Sequence, residues 1–166
     1  MSTTPEADNA SHVRPVIVID RREKRPLVTT RLQSLIATLP TGDYSIAGAE
    51  HLFAVERKTI SDFVWCSTGR ERARFERVLQ RLRGYDFARV LVIGEEAALK
   101  AQRTAYRFAL EAEARYRVPF VIVATPEQAA RQLERWALWF VHSLTETARA
   151  VVRAANADDA SQQPPI

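Results

Sequence analysis

Apolar residues in this chain fall into short runs separated by amphipathic and polar segments, an alternation that predicts an α/β domain. The runs at 16–19, 90–93 and 120–123 contain no polar residue, which is typical of strands buried on both faces. Other segments repeat apolar residues at helical spacing. In chain order, the predicted elements are a strand at 16–20, a helix near 28–39, a hairpin at 43–58, a short helix at 59–66, a basic helix at 70–83, a strand at 89–93, a helix at 96–116, a strand at 119–124 and a long helix from Pro126. This order predicts an α/β/α domain with a central mixed β-sheet.

Both ends of the chain are polar or small-residue segments without periodicity. We therefore predict disordered tails at 1–13 and 154–166 and a single domain at 14–153. The chain has 166 residues, 46% of them hydrophobic, which is enough for one domain with its own core. No linker and no internal repeat divides the sequence.

The predicted hairpin carries a cluster of charged residues. Asp43 and Glu56 are equally distant from the junction of Ala49 and Glu50, so a hairpin folding there sets the two carboxylates opposite each other. Lys58 lies two residues beyond Glu56 and shares its face of the strand. Paired carboxylates favour a hard divalent cation such as Mg²⁺. Lys58 could then orient or deprotonate a water, or stabilise the charge that develops on a phosphate.

A third acidic residue, Asp20, ends the first buried strand. Each of these pieces alone is common in proteins, but their joint order and spacing are much harder to reach by chance. Together they resemble the nuclease motif of the XPF/Hef family of structure-specific DNA endonucleases, a branch of the PD-(D/E)XK nuclease superfamily. The matching residues are Asp20-x-Arg22-Glu23, Gly42-Asp43, Glu56-Arg57-Lys58-x-x-x-Asp62 and Gly69-Arg70.

This resemblance implies a restriction-endonuclease-like fold and a metal-dependent DNA endonuclease that cuts near flaps, forks or splayed arms in repair or recombination. Its metal would be Mg²⁺, with Mn²⁺ as an alternative, and the metal ligands would be Asp20, Asp43 and Glu56. The family commonly continues into a tandem helix-hairpin-helix domain, which this sequence lacks after its nuclease domain. The implied catalytic residues are Asp20, Glu23, Asp43, Glu56, Arg57, Lys58 and Asp62.

The basic helix at 70–83 is the candidate DNA-binding surface. Of the 24 Lys and Arg residues, 21 are Arg, and the net charge is +4. Arginine binds phosphate through two parallel hydrogen bonds, although a GC-rich genome would produce the same bias. A solvated helix face is the alternative interpretation. The candidate DNA-binding residues are Arg70, Arg72, Arg74, Arg77 and Arg81.

The long final helix is apolar on more than one face. Trp136, Trp139 and Phe140 predict either a deeply buried helix or the interface of a homodimer, and the family resemblance favours the dimer. No apolar run is long enough to span a membrane, and the N-terminus lacks a signal-peptide core. The expected location is intracellular, in the cytoplasm or nucleoid of a bacterium or in a eukaryotic nucleus.

Three alternative functions remain open at this point. The first is a catalytically silent DNA-binding or dimerisation partner of a nuclease, which the intact set of Asp43, Glu56 and Lys58 disfavours. The second is a junction-resolvase or restriction-type PD-(D/E)XK nuclease. The third is a small interaction module whose charge run is incidental. DNA binding and cleavage separate these alternatives.

Overall fold

A six-stranded mixed sheet forms the centre of the fold. The structure is a computed structural model that describes residues 13–161, so residues 1–12 and 162–166 of the predicted tails lie outside the described residues. The strands are β1 Ile17–Asp20, β2 Ser34–Ala37, β3 Tyr44–Ile46, β4 Phe53–Thr59, β5 Phe87–Ile93 and β6 Phe120–Val123. The helices are α1 Ile60–Cys66, α2 Gly69–Leu82, α3 Glu96–Ala101, α4 Arg103–Tyr116 and α5 Pro126–Ser161.

The strand order is β2-β1-β3-β4-β5-β6. Strand β3 is antiparallel to both of its neighbours, and the other neighbouring pairs are parallel. The predicted α/β fold with a mixed sheet is therefore confirmed. Because β3 runs against β4, the start of β3 and the end of β4 meet at the same edge of the sheet.

Two hydrophobic cores cover the two faces of the sheet. On β4, Ala54 belongs to the core formed with α1, α2 and α4, whereas Phe53 and Val55 belong to the core formed with α5. Successive side chains of a strand point to opposite faces. Glu56 and Lys58 thus lie on the α1–α2 side of β4, and Arg57 lies on the α5 side.

The helix predicted near 28–39 is wrong, because this segment is a loop followed by the edge strand β2. Leu32 and Leu39 are buried as the helical spacing required, but Leu35 and Ile36 are exposed. The backbone of β2 instead pairs in parallel with β1, and the carboxylate of Asp20 accepts a hydrogen bond from the backbone N–H of Leu39 at 2.7 Å. A short apolar run fits a helix and a strand equally well, and here pairing with β1 decides.

Two further element boundaries differ from the sequence prediction. The helix expected at 96–116 is divided at Gln102 into α3 and α4, with Leu99 before the break and Ala105 after it both buried. Helix α5 continues through residues 154–161, so the prediction of a disordered tail is wrong for this segment.

A buried carboxylate on α5 holds the loop that leads into β2. Glu134 Oε1 accepts backbone hydrogen bonds from Thr30, Arg31 and Leu32 at 2.7, 2.6 and 3.1 Å, and Glu134 is almost wholly buried. One carboxylate oxygen therefore satisfies three consecutive donors that belong to no helix or strand. This contact ties the edge of the sheet to the helix layer behind it.

We expect Glu134→Ala to lower the free energy of unfolding by roughly 2 to 4 kcal/mol, because three backbone donors lose a charged acceptor. Urea unfolding followed by circular dichroism measures the change. Glu146→Ala is the matched control, since Glu146 is an exposed residue of the same helix in an ion pair with Arg149, and such pairs contribute little. Equal stability of the two variants would contradict the role assigned to Glu134.

Candidate active site

The carboxylates of Asp43 and Glu56 meet across strands β3 and β4. Tyr44 pairs with Val55, a register that sets Asp43 opposite Glu56 as their equal spacing predicted. The N–H of Asp43 donates to the carbonyl of Val55 at 2.9 Å. Gly42 precedes Asp43 at a φ of 80°, and a Cβ there would lie 3.1 Å from the Val55 oxygen. Glycine is therefore required where the chain enters β3.

Lys58 is held against Glu56. Its Nζ atom donates to Glu56 Oε1 at 2.5 Å, which follows from their positions two residues apart on one face of β4. Burial alone would lower the pKa of Lys58, but the charge of Glu56 and its hydrogen bond raise the pKa above its ordinary value. Lys58 is thus an ammonium at neutral pH, suited to stabilising negative charge rather than to accepting a proton.

The carboxyl group of Asp43 is buried and lies close to the charge of Glu56. Its pKa is raised from 3.8 to about 7, first because the carboxyl is buried and second because the charge of Glu56 is close. The backbone N–H of Arg57 donates to Asp43 Oδ2 at 2.7 Å and offsets part of this rise. Two carboxylates that resist simultaneous ionisation form a favourable site for a cation.

The donor set fits Mg²⁺, which is bound through one or two carboxylates while waters and substrate phosphate complete its coordination. Asp43 and Glu56 supply these two carboxylates. Within residues 13–161, no group of three or more His, Cys, Asp and Glu side chains could hold a metal ion together. Asp43 and Glu56 are the two carboxylates that the strand register places opposite each other, and the three-carboxylate set with Asp20 stays a prediction.

Asp20 has a structural role in this arrangement. Its side chain accepts hydrogen bonds from Nε and Nη2 of Arg22 at 2.7 and 3.0 Å and from the N–H groups of Arg22 and Leu39 at 2.8 and 2.7 Å. These contacts, with the Arg22 side chain first, lower the pKa of Asp20 to about 2. Both oxygens of Asp20 accept hydrogen bonds that join β1 to the chain around β2. The metal role of Asp20 stays a prediction.

Glu23 and Arg57 form a two-bonded ion pair on the α5 side of β4. Nε and Nη2 of Arg57 donate to the two oxygens of Glu23 at 3.0 and 3.1 Å. This ion pair holds Arg57, whose backbone N–H donates to Asp43 Oδ2. Glu23 and Arg57 therefore help to position the Asp43 carboxylate. Thr59 caps α1, because its hydroxyl accepts from the N–H of Asp62 at 3.1 Å. The same hydroxyl donates to Asp62 Oδ2 at 2.7 Å, so Asp62 supports the cap.

A cleft of about 410 Å³ opens over these residues. Lys24, Arg25 and Thr59 also line it, and the sequence analysis did not single them out as site residues. The adjacent positions of Lys24 and Arg25 after Glu23 were the available signal. The lining residues are Arg22, Glu23, Lys24, Arg25, Asp43, Arg57, Lys58, Thr59 and Asp62.

The sequence pattern that defines the ERCC4 domain matches residues 19–153. The chain belongs to the ERCC4 domain family. Its fold is similar to that of XPF from Aeropyrum pernix, with a TM-score of 0.65 and 22% identity over 86% of this chain and 73% of that one. XPF from Aeropyrum pernix in complex with DNA gives a TM-score of 0.62 and 23% identity over 78% of this chain and 66% of that one. A comparison with curated proteins found no match. The resemblance to XPF-type nuclease domains is thereby confirmed.

The arginines of α2 divide into two groups in this ERCC4 domain. Arg70, Arg74, Arg77 and Arg81 recur at helical spacing on one exposed face, and we name this set the arginine stripe. Arg72 lies on the other side, where it pairs with Glu76 and Glu111 at 3.1 Å and covers the ring of Phe108. Its predicted DNA contact is therefore not supported by the geometry. In the described part of the chain, Arg74 is the only arginine of the stripe that forms an ion pair, with Glu71 at 3.8 Å.

The three aromatic residues assigned to a dimer interface have different surroundings in the ERCC4 domain. Trp136 packs near Phe87, and Phe140 lies beside both Phe87 and Phe53, so these two residues contribute to the core under α5. Trp139 is 66% exposed. No helix among the described residues has the length and apolar character needed to cross a membrane.

Proposed function

We propose that this ERCC4 domain is a Mg²⁺-dependent DNA endonuclease, with Mn²⁺ as an alternative metal, that hydrolyses phosphodiester bonds near branch points such as flaps, forks and splayed arms. Its role would be DNA repair or recombination inside the cell. The observation that supports this proposal is the convergence of Asp43, Glu56 and Lys58 at one edge of the sheet. Asp43 and Lys58 line the cleft there, together with several basic residues. That combination suits a polyanionic substrate attacked by water.

A Mg²⁺ ion held by Asp43 and Glu56 would activate water and neutralise charge on the phosphate. In the reaction, the water oxygen would lose a proton to solvent and form a bond to phosphorus as the bond from phosphorus to the leaving sugar oxygen breaks in line. The leaving oxygen would take up a proton from solvent. Lys58 is an ammonium on the same face as Glu56, and it would stabilise the negative charge that grows on the phosphoryl oxygens. The Arg57 N–H keeps Asp43 in place throughout.

The arginine stripe would bind the DNA backbone beside the cleft. Arg74 belongs both to the stripe and to a second cavity of about 300 Å³ that Glu56 and Lys58 also line. A strand that follows α2 therefore has a continuous route to the two residues that perform the chemistry. Phosphate contacts of this kind orient a duplex without reading its sequence.

Cleavage of labelled flap, fork, splayed-arm, junction and plain duplex DNA, side by side, tests the proposed function. We expect cuts near the branch in the presence of Mg²⁺ or Mn²⁺ and none in EDTA. Cleavage of plain duplex at the same rate would contradict the branch preference. Binding to DNA without cleavage under any metal would favour a silent partner instead.

We further propose that α5 forms a homodimer interface around Trp139. Leu144, Val151 and Val152 are also exposed on α5, although 3.6 residues per turn places them roughly 120° to 140° around the helix from Trp139. Exposed apolar side chains on one helix favour association with a second copy. Trp136 and Phe140 would support this surface from beneath rather than contact the partner.

Trp139→Glu should convert a dimer into a monomer in sedimentation velocity experiments, because a charge is poorly tolerated in an interface core. Since the side chain is exposed, the substitution should leave the fold intact. Leu110→Glu is the matched control, because Leu110 is 53% exposed on α4, away from α5. A wild-type chain that stays monomeric at high concentration would remove the interface.

A further inference from the structure

An exposed tryptophan stands beside the candidate active site. Trp65 lies on α1 and is 64% exposed, although tryptophan is highly buried on average. It follows Asp62 by three residues, so both side chains lie on the same face of the helix. Trp65, Glu56 and Lys58 line the same cavity of about 300 Å³. The indole is therefore part of the surface that a substrate in this cavity would meet.

The fold does not use Trp65 for packing. Its neighbours Phe63 and Cys66 belong to the core between α1 and the sheet, and Trp65 does not. Within residues 13–161, no aromatic ring pairs with its indole. Single exposed apolar residues are common on protein surfaces. What distinguishes Trp65 is its position in the cavity that Glu56 and Lys58 also line.

The cavity beside Trp65 combines the features that bind a nucleotide. Arg74 lines this cavity as a cation and Phe75 as an apolar residue. Asp62 and Glu71 also line it, and Glu71 lies 3.8 Å from Arg74. Arginine beside an exposed aromatic face matches the two parts of a nucleotide, since the phosphate binds the cation and the base stacks on the ring. Glu56 and Lys58 line the same space, which places the stacked base next to the reacting phosphate.

We propose that Trp65 stacks on an unpaired nucleobase adjacent to the scissile phosphodiester. This inference rests on the proposed nuclease function and identifies the substrate feature that the site reads. In a duplex, each base is covered by its neighbours on both faces, so only a splayed or displaced nucleotide offers a free face to the indole. Trp65 is thus a specificity-determining residue that favours single-stranded nucleotides beside the cut.

The test compares Trp65→Ala, Trp65→Phe and wild type on splayed-arm DNA that carries 2-aminopurine at successive unpaired positions next to the branch. Binding is measured in EDTA, and cleavage is measured separately with Mg²⁺. We expect Trp65→Ala to lose affinity for the splayed arm by roughly tenfold, within the range for removal of one stacked aromatic residue. Affinity for plain duplex should stay unchanged. Trp65→Phe should retain most of the affinity, and the fluorescence quenching at one 2-aminopurine position should disappear only in the alanine variant.

Leu110→Ala is the control for loss of an exposed apolar side chain away from the cleft. A wild-type enzyme that cleaves branched DNA, with a Trp65→Ala variant that matches it on every substrate, would overturn the stacking role alone. An equal loss on duplex and splayed arm would do the same. A change in sedimentation without a change in DNA binding would assign Trp65 to contact with a second copy. If the wild type neither binds nor cleaves any DNA, the proposed function fails together with this inference.

Discussion

Asp43→Asn, Glu56→Gln and Lys58→Ala each reduce the rate of DNA cleavage by roughly 10²- to 10⁴-fold, since each removes one charge at the reacting phosphate. Asp43→Asn and Glu56→Gln keep the shape of the side chain, so the loss reports the missing charge. Lys58→Ala should disturb metal binding less, because an ammonium is not a metal ligand. Single-turnover cleavage with Mg²⁺, together with DNA binding in EDTA, separates the three roles.

The free energy of unfolding shows whether Asp43→Asn still folds, and it should also change with pH. The folded pKa of about 7 is above the usual 3.8, so the folded chain retains a proton that the unfolded chain releases as the pH rises from about 4 to 7. Wild-type stability therefore falls across this window. Without divalent ions at pH 8, we expect Asp43→Asn to be more stable than wild type by roughly 1 to 3 kcal/mol, with the gain vanishing toward pH 4. Urea unfolding at the two pH values measures it.

Asp86→Asn is the matched control for both measurements, because Asp86 is an exposed residue before β5. It should cleave DNA like wild type and show no gain in stability at pH 8. Full activity in any of the three active-site variants, with cleavage shown to follow the purified protein, would mean that the chemistry takes place elsewhere.

Replacing Arg70, Arg77 and Arg81 together by Ala weakens DNA binding by roughly 10²-fold at low salt, because three phosphate contacts are lost from the arginine stripe. The slope of log affinity against log salt concentration should fall by about 2.7, since each duplex phosphate contact contributes about 0.9. Fluorescence anisotropy across a salt series measures both quantities. The loss should be similar for different duplex sequences.

The control removes the same charge from the opposite layer of the fold. Arg131, Arg135 and Arg153 are exposed residues of α5, and their triple alanine variant should keep the wild-type slope. Arg72→Ala should also change the slope little, because Arg72 is already paired with Glu76 and Glu111. Equal slopes for the stripe variant and the α5 variant would show that the stripe is only a solvated helix face.

The parts of this fold that sequence patterns predicted are those set by local order. Buried runs identified strands β1, β5 and β6, and equal spacing about a turn placed Asp43 opposite Glu56. The alternation of Glu56 and Lys58 also put both side chains on one face of β4. Each of these inferences needs only neighbouring residues, whose geometry strand periodicity determines.

Long-range contacts determined the features that the sequence could not show. The loop before β2 is held by Glu134, which is 104 residues from Thr30, so helical spacing alone predicted the wrong element. Asp20 is occupied by Arg22 and by the distant Leu39 N–H. Trp65 is exposed because no other element of the described chain covers its face of α1. Which face of a helix stays uncovered cannot be read from the sequence alone.

The consecutive residues Glu56, Arg57 and Lys58 alternate between the two faces of β4. The proposed catalytic residues Glu56 and Lys58 therefore lie on one face, and the contact between Arg57 and Glu23 lies on the other. A duplicated copy that loses Glu56 and Lys58 should become inert while its architecture persists through the contact between Arg57 and Glu23. Loss of Glu23 and Arg57 should instead erode folding and catalysis together. Which of these residues is substituted first would therefore distinguish a copy that is inactive but still folded from a copy that is losing the fold itself.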